Sequence, residues 1–235
     1  MLKDALQYLI GLGNVRTEQI GNEIFSTQPL HRVKEATADP IIVHSLSGFV
    51  DYLIHDFDKK LPLMVHVVSP TEVVAFSSFN RDYERNVLIK AQAMLPDPAI
   101  GRWLDVEEFI IRLQAAFLAT EDRSLVLKVV GNIKEESVNT IGDDGVSQSV
   151  VAKTGVATVG NVKVPNPVFL HPYRTFVELD QPGSQFVFRM QSGLRCALFE
   201  ADGGAWKIEA MRLIRDYLSG ALEDELHDER VILIA

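Results

Sequence analysis

Between Glu121 and Trp206 the chain is punctuated by turn residues at short intervals, and the stretch reads as a row of strands joined by tight turns. The row ends where a helix begins. Inside it lies a long hairpin candidate, Asn132 to Lys153, whose arms meet at Gly142-Asp143-Asp144-Gly145. A glycine at the end of such a loop supplies the positive φ that a type I turn with a bulge requires. On the first arm Ile133, Glu135, Ser137, Asn139 and Ile141 share one face, opposite Lys134, Glu136, Val138 and Thr140. Neither face is apolar. Such a hairpin persists when its root is anchored in a sheet or its tip rests on another chain. Two readings stand side by side: a solvated, mobile loop, or an assembly arm in which Gly142, Asp143, Asp144 and Gly145 are candidate contacts of a homo-oligomer.

Upstream, the pattern is richer in helices. Leu2, Leu6, Leu9 and Ile10 recur at helical spacing, with a stop over residues 11–14. Two short strands are expected between Arg16 and Lys34. Ser45 or Ser47 caps a helix through Phe49, Val50, Leu53 and Phe57. Leu63 to Val68 and Val73 to Ser77 form a hairpin around Pro70. Arg81 to Met94 reads as a helix. Asp105 opens another, with Glu108 three residues on and Phe109, Ile110, Leu113, Ala116 and Phe117 as its apolar face.

From Ser124 the reading changes to strands. Leu125 to Val130 is apolar apart from Lys128, which suits a strand buried on both faces. Val156 to Val164, Leu170 to Leu179, Gln185 to Met190 and Arg195 to Glu200 follow. Trp206, Ala210, Leu213, Ile214, Tyr217 and Leu218 make one stripe of an amphipathic helix over 205–222. After an acidic stretch, Val231 to Ile234 is an edge strand or a segment docking on another subunit, so Ile232 and Ile234 are candidate oligomer contacts. The expected fold is α+β. Helices lie mainly in a part spanning 1–120, and a largely antiparallel sheet occupies 121–235 with a projecting hairpin and a packed C-terminal helix. The two parts are expected to form one continuous fold.

The single cysteine, Cys196, excludes an intrachain disulfide, and no run of about 18 apolar residues marks a membrane span. A cytoplasmic location is expected. The formal net charge of −9 opposes broad binding to a nucleic-acid backbone. Arg81, Arg85 and Lys90 form a candidate phosphate-binding cluster, with Asp82 and Glu84 interleaved.

Catalytic signals are weak. Glu200 and Asp202 could hold a hard cation, but further acidic ligands at calcium-loop spacing are missing, and the favoured reading is that Asp202 caps the following helix while Gly203 and Gly204 allow a tight turn. The six histidines show no metal-ligand spacing. Cys196 suits a buried, inert thiol, and no nucleophile elbow, P-loop or dinucleotide fingerprint is present. No enzyme activity, metal or cofactor is expected. Arg102-Trp103 and Tyr173-Arg174 pair a cation with an aromatic ring, so they are candidates for stacking on a base or nucleotide.

Several segments together resemble a family. They are Asn132-Ile-Lys-Glu-Glu-Ser-Val through Gly142-Asp-Asp-Gly145, Lys153-Thr-Gly-Val-Ala157, Val164-Pro-Asn-Pro167, Pro172-Tyr-Arg-Thr-Phe176, Phe186-Val-Phe-Arg-Met190 and Ala197 through Trp206. The combination is similar to the YfdQ-like proteins of phages and prophages. It covers about the C-terminal half, and the Leu104 to Phe117 helix also fits. That family has no assigned activity, so the resemblance implies a phage-encoded cytoplasmic accessory protein and no particular site. The functional expectation is a non-catalytic, self-assembling protein that binds a host or phage component, in counter-defence or by sequestering a small nucleotide signal. The alternative is a nucleic-acid accessory factor in phage recombination or replication.

Overall fold

The structure is a computed structural model. It describes residues 2–14, 16–21, 23–26, 36–55, 57–58, 62–132, 139–143, 148–154, 158–163, 166–191 and 193–235. At 12, 23–25, 139–143, 148–154 and 158–163 it describes the backbone. The chain divides into two units, residues 1–37 and 38–235.

The first unit contains α1 (Leu2–Gly13) and the antiparallel pair β1 (Thr17–Ile20) and β2 (Glu23–Ser26). Gly21, at φ 67°, makes the turn between the strands. The helix and the two short strands match the sequence reading. The α1 stripe, Leu2, Leu6, Leu9 and Ile10, is exposed.

The second unit runs β3 (Ile41–Val43), α2 (Leu46–His55), β4 (Leu63–Ser69), β5 (Glu72–Phe79), β6 (Arg85–Gln92), β7 (Leu104–Asp105), α3 (Val106–Ala116) and α4 (Glu121–Gly131). It continues through β8 (Asn139–Asp143), β9 (Gln148–Thr154), β10 (Thr158–Lys163), β11 (Val168–Leu170), β12 (Ser184–Gln191) and β13 (Arg195–Glu200). It closes with α5 (Trp206–Ala221), α6 (Glu223–His227) and β14 (Val231–Ile234). The α+β class is as expected.

One sheet has the order β14-β4-β5-β6-β3. Its edge strands β14 and β3 are parallel to their neighbours, and the interior pairs are antiparallel. Leu63, Val65, Val67, Val73, Ala75, Ile89, Ala91 and Val231 face α2 and α5, packing on Phe49, Leu53, Ile214 and Leu218. A second sheet has the order β11-β12-β13-β7. Its core joins Val168, Leu170, Phe186, Phe188, Met190, Cys196 and Leu198 to Phe109, Leu113, Phe117, Val126 and Val130 of α3 and α4. The 120/121 junction thus lies between two helices that share one core.

The hairpin is present as pairing. Asn139 opposes Val151, Thr140 opposes Val150 and Asp143 opposes Gln148. β10 adds a third antiparallel strand, with Val159 opposite Lys153. Gly142 and Asp143 end β8, whereas Asp144 and Gly145 lie outside the described residues.

Three sequence expectations are corrected. Arg81 to Met94 is a turn followed by β6. Asn80 Oδ1 accepts the N–H groups of Asp82 and Glu84, both at 2.9 Å, which closes the turn. Ile89 and Ala91 then alternate inward as a strand requires. Leu125 to Val130 belongs to α4. Thr120 Oγ1 accepts from Arg123 N at 3.2 Å, two acids occupy the first turn, and Val126, Val129 and Val130 share the buried side. A short apolar run does not distinguish a strand from a buried helix. Leu170 to Leu179 is a strand only to Leu170, then a loop (171–183) folded onto its own side chains.

Capping fixes several helix starts. Asp105 Oδ1 accepts from Glu108 N at 2.8 Å, as the sequence pattern predicts. Replacing Thr120 by alanine removes the corresponding bond of α4. It should lower stability by about 1 kcal/mol, read as a fall of about 2–4 °C in thermal unfolding.

Candidate functional site

Two places concentrate chemistry: a buried polar knot under the 171–183 loop, and the outward face of the five-stranded sheet.

The knot is centred on Arg174, which is 5 % exposed. Its Nη1 donates to Glu200 Oε1 at 2.7 Å, and its Nη2 donates to the Pro182 carbonyl at 3.1 Å and to Ser184 Oγ. The Ser184 hydroxyl also meets Asp202 Oδ2, and Asp202 Oδ1 accepts from Gly204 N at 3.0 Å. The guanidinium lies 4.1 Å from the centre of the Trp206 ring. Burial pulls the Arg174 pKa down to about 10, opposed by the charges of Glu200 and Asp202, so the group is a cation at neutral pH. For Asp202, burial is the largest influence and pushes upward. The Ser184 hydroxyl, the Gly204 N–H and the Arg174 charge outweigh it and hold the carboxyl below its ordinary value.

Gln181 ties the loop itself. Its Oε1 accepts from the backbone N–H of Arg174 at 2.9 Å and of Thr175 at 3.2 Å; its Nε2 donates to the carbonyls of Phe176 and Leu179, both at 3.0 Å. The loop links both cores. Thr175 Oγ1 donates to the Pro70 carbonyl at 2.7 Å, Phe176 enters the core under the five-stranded sheet, and Glu178 accepts from Leu46 N and Ser47 N at the start of α2. The knot is a clasp between two sheets.

The residues singled out as stacking pairs are thus placed differently from one another. Arg174 has a ring of its own chain on its guanidinium. Tyr173 is half-buried, and its N–H donates to the Ala116 carbonyl at 2.9 Å. Arg102 is bound by Asp97, and Trp103 packs edge-on against Phe199 at 5.9 Å. Glu200 and Asp202 are brought together, as the sequence spacing suggests, with the Arg174 cation between them.

Cys196 is fully buried on β13, and burial pushes its thiol up to about 12 from an ordinary 9.0. A raised native pKa favours the folded state below the unfolded value, and that contribution is lost as pH rises from about 9. The thiol should therefore resist an aromatic disulfide reagent at pH 8 until denaturant unfolds the chain. Labelling of the native protein within minutes would contradict this placement.

The outward sheet face is exposed chiefly at its edge strands, and Val74 at its centre is buried. Ile234, His66, Val74, Lys90 and Ile42 stand side by side across all five strands, and Ile232, Met64, Phe76 and Val87 make the adjacent row. None of these belongs to either buried core cluster. Ile42, Ile232 and Ile234 are 55 %, 48 % and 40 % exposed. Arg85 lies over this face, its guanidinium 5.1 Å from the Phe76 ring centre and 4.4 Å from that of Phe79. A groove of about 180 Å³ between Pro62, Met64, Phe79, Arg85 and Ile232 sits at its lower edge.

No family model matches the chain, and comparison with curated proteins and with solved structures found no match.

Of the expected oligomer contacts, Ile232 and Ile234 therefore lie on one sheet face with His66 and Lys90 and with Met64, Val74 and Phe76, the last three of which sequence reasoning did not single out. A signal existed: Leu63 to Val68 is apolar at both parities, whereas a single buried face needs only one. Arg85 and Lys90 of the proposed basic cluster are on this face, while Arg81 is in the turn before β6. Among the described residues no helix is long and apolar enough to cross a membrane.

Proposed function

We propose that this chain is a phage-encoded accessory protein of the host cytoplasm that self-assembles and acts by binding a host or phage component rather than by catalysis. The observation that carries the reading is the group of exposed isoleucines, Ile42, Ile232 and Ile234, on the outward face of the five-stranded sheet beside the half-buried Met64 and Phe76. Exposed apolar side chains grouped on one face are characteristic of interaction sites. Five strands about 4.8 Å apart span an area comparable to one side of a small specific interface. The phage setting rests on the resemblance of residues 132–206 to YfdQ-like proteins. Counter-defence, including sequestration of a nucleotide signal, is the role this setting suggests. Light scattering at micromolar concentration tests the self-assembly. Thermal shift against a panel of cyclic and linear nucleotides tests the sequestering version, and no shift with any of them would remove it.

A second reading has an observation in its favour. Lys90, Arg85 and His66 share a sheet face with Phe76 in an otherwise acidic protein, and strand platforms with cations and rings bind single-stranded nucleic acid. On this reading the chain is an accessory factor in phage recombination or replication. Fluorescence anisotropy with single-stranded DNA should then show binding that weakens steeply with salt. Absence of binding at low salt would exclude it.

A further inference from the structure

We propose that the free edge of β14 is a dimer seam, on which a second copy lays its own Val231–Ile234 antiparallel about a two-fold axis through Ile232. This rests on the self-assembly reading above and specifies where it occurs.

β14 is the end strand of its sheet and pairs on one side only, parallel to β4. The Arg230 carbonyl accepts from Leu63 N at 2.9 Å. In a parallel ladder alternate residues direct both their N–H and their C=O to the same neighbour. Arg230, Ile232 and Ile234 are therefore turned toward β4, and Val231 and Leu233 present their backbone groups to the open edge. No described residue pairs with that edge.

The pattern is self-complementary. An axis through Ile232 sets Val231 opposite Leu233 of the second copy, and Leu233 opposite Val231. Both are hydrogen-bonded pairs of the antiparallel type, so four bonds form. Ile232 then faces its own copy in the closely spaced, non-hydrogen-bonded position, with Cα atoms about 4.5 Å apart. Moving the axis by half a residue sets an outward residue against an inward one, and moving it by a whole residue halves the bonds between the four-residue strands.

The edge strand is short, but it carries no side-chain device that prevents such pairing. Val231, Ile232, Leu233 and Ile234 include no charge, proline or glycine. Ile232 projects from the outward face at 48 % exposure, so two copies of it meet beside Met64. The seam is short, at the low end of interface sizes under about 1,200 Å². The dimer should consequently form in a concentration-dependent manner.

Cysteine substitution in the full chain reads the axis directly. The native Cys196 is fully buried, so an introduced thiol is the accessible one. Ile232→Cys under oxidised glutathione should give a disulfide-linked dimer, because Cα atoms about 4.5 Å apart fall within disulfide geometry. Ile234→Cys is displaced from its copy by four residues along the strands and should cross-link at least tenfold more slowly. Sedimentation velocity and unfolding midpoint are recorded for each variant, and Ile232→Lys, which places two like charges on the axis, should shift the population to monomer. Self-association of the unmodified chain without Ile232→Cys cross-linking would overturn the seam while leaving the self-assembly reading in place. Equal cross-linking of the two variants, or a ladder beyond dimer, would overturn it too, the ladder indicating head-to-tail pairing of β14 with β3. A monomer at all concentrations would remove both.

Discussion

Replacing Phe176 by alanine should lower the unfolding free energy by about 3–5 kcal/mol. The ring is 1 % exposed and sits in the core formed by α2, α5 and the five-stranded sheet. It is delivered there by a loop, not by a regular element, and Gln181 holds that loop with four hydrogen bonds. The loop cannot follow the ring inward to close the void, because Thr175 is tied to Pro70 and Glu178 to the start of α2. A site that cannot collapse retains its cavity and incurs the larger part of the range. Urea titration followed by circular dichroism measures the effect. A loss below about 1 kcal/mol would mean that the loop does not anchor this core.

Arg174→Ala should cost about 3 kcal/mol in the same measurement. Removing one partner of a buried pair leaves the other charge unpaired, at about 3–5 kcal/mol. The side chain of Glu200 is 30 % exposed, so water reaches the abandoned carboxylate and the lower end applies. Arg174→Lys keeps the charge but not the planar fork that spans Glu200, Ser184 and the Pro182 carbonyl, nor the guanidinium over the Trp206 ring, and should fall between. The carboxyl of Asp202 adds a pH dependence. Its native pKa lies below the ordinary 3.8, so its contribution is present above that value and is lost as pH falls through the native one. In Arg174→Ala one cause of that depression is gone, and the acid limb of the stability curve should be shallower.

The sequence was most informative where the determinants are local. The Asp105 cap, the turn at Pro70, the strands over 185–190 and 195–200 and the stripe of α5 each depend on neighbours within a few residues. Local pattern misled at three elements, one of them Leu170 to Leu179, where the strand stops at Leu170 and a loop follows. In Arg81 to Met94 the apolar residues fit both helical and strand spacing, and pairing with β5 decides for the strand. In Leu125 to Val130 the cap at Thr120 and packing on α3 decide for the helix. The candidate sites were less legible because their parts are far apart in the chain. The knot joins Arg174, Gln181, Ser184, Glu200, Asp202 and Trp206 from a loop, two strands and a helix start. The outward face depends on β14 lying beside β4, a pairing between residues 231–234 and 63–66. Sequence alone suggested that Ile232 and Ile234 were at an edge, and could not show which surface they complete.

The outward face of the five-stranded sheet is the claim on which the functional account stands, and its solution mass tests it most directly. Multi-angle light scattering is run on the full chain over a micromolar concentration series, beside an Ile42→Lys, Ile234→Lys double variant. Both positions are 40 % exposed or more, so the fold should tolerate the charges. The account predicts self-association of the native chain that the double variant weakens at least tenfold, with an unchanged far-ultraviolet spectrum. A native chain that is monomeric throughout, or a double variant that associates equally well, would contradict it.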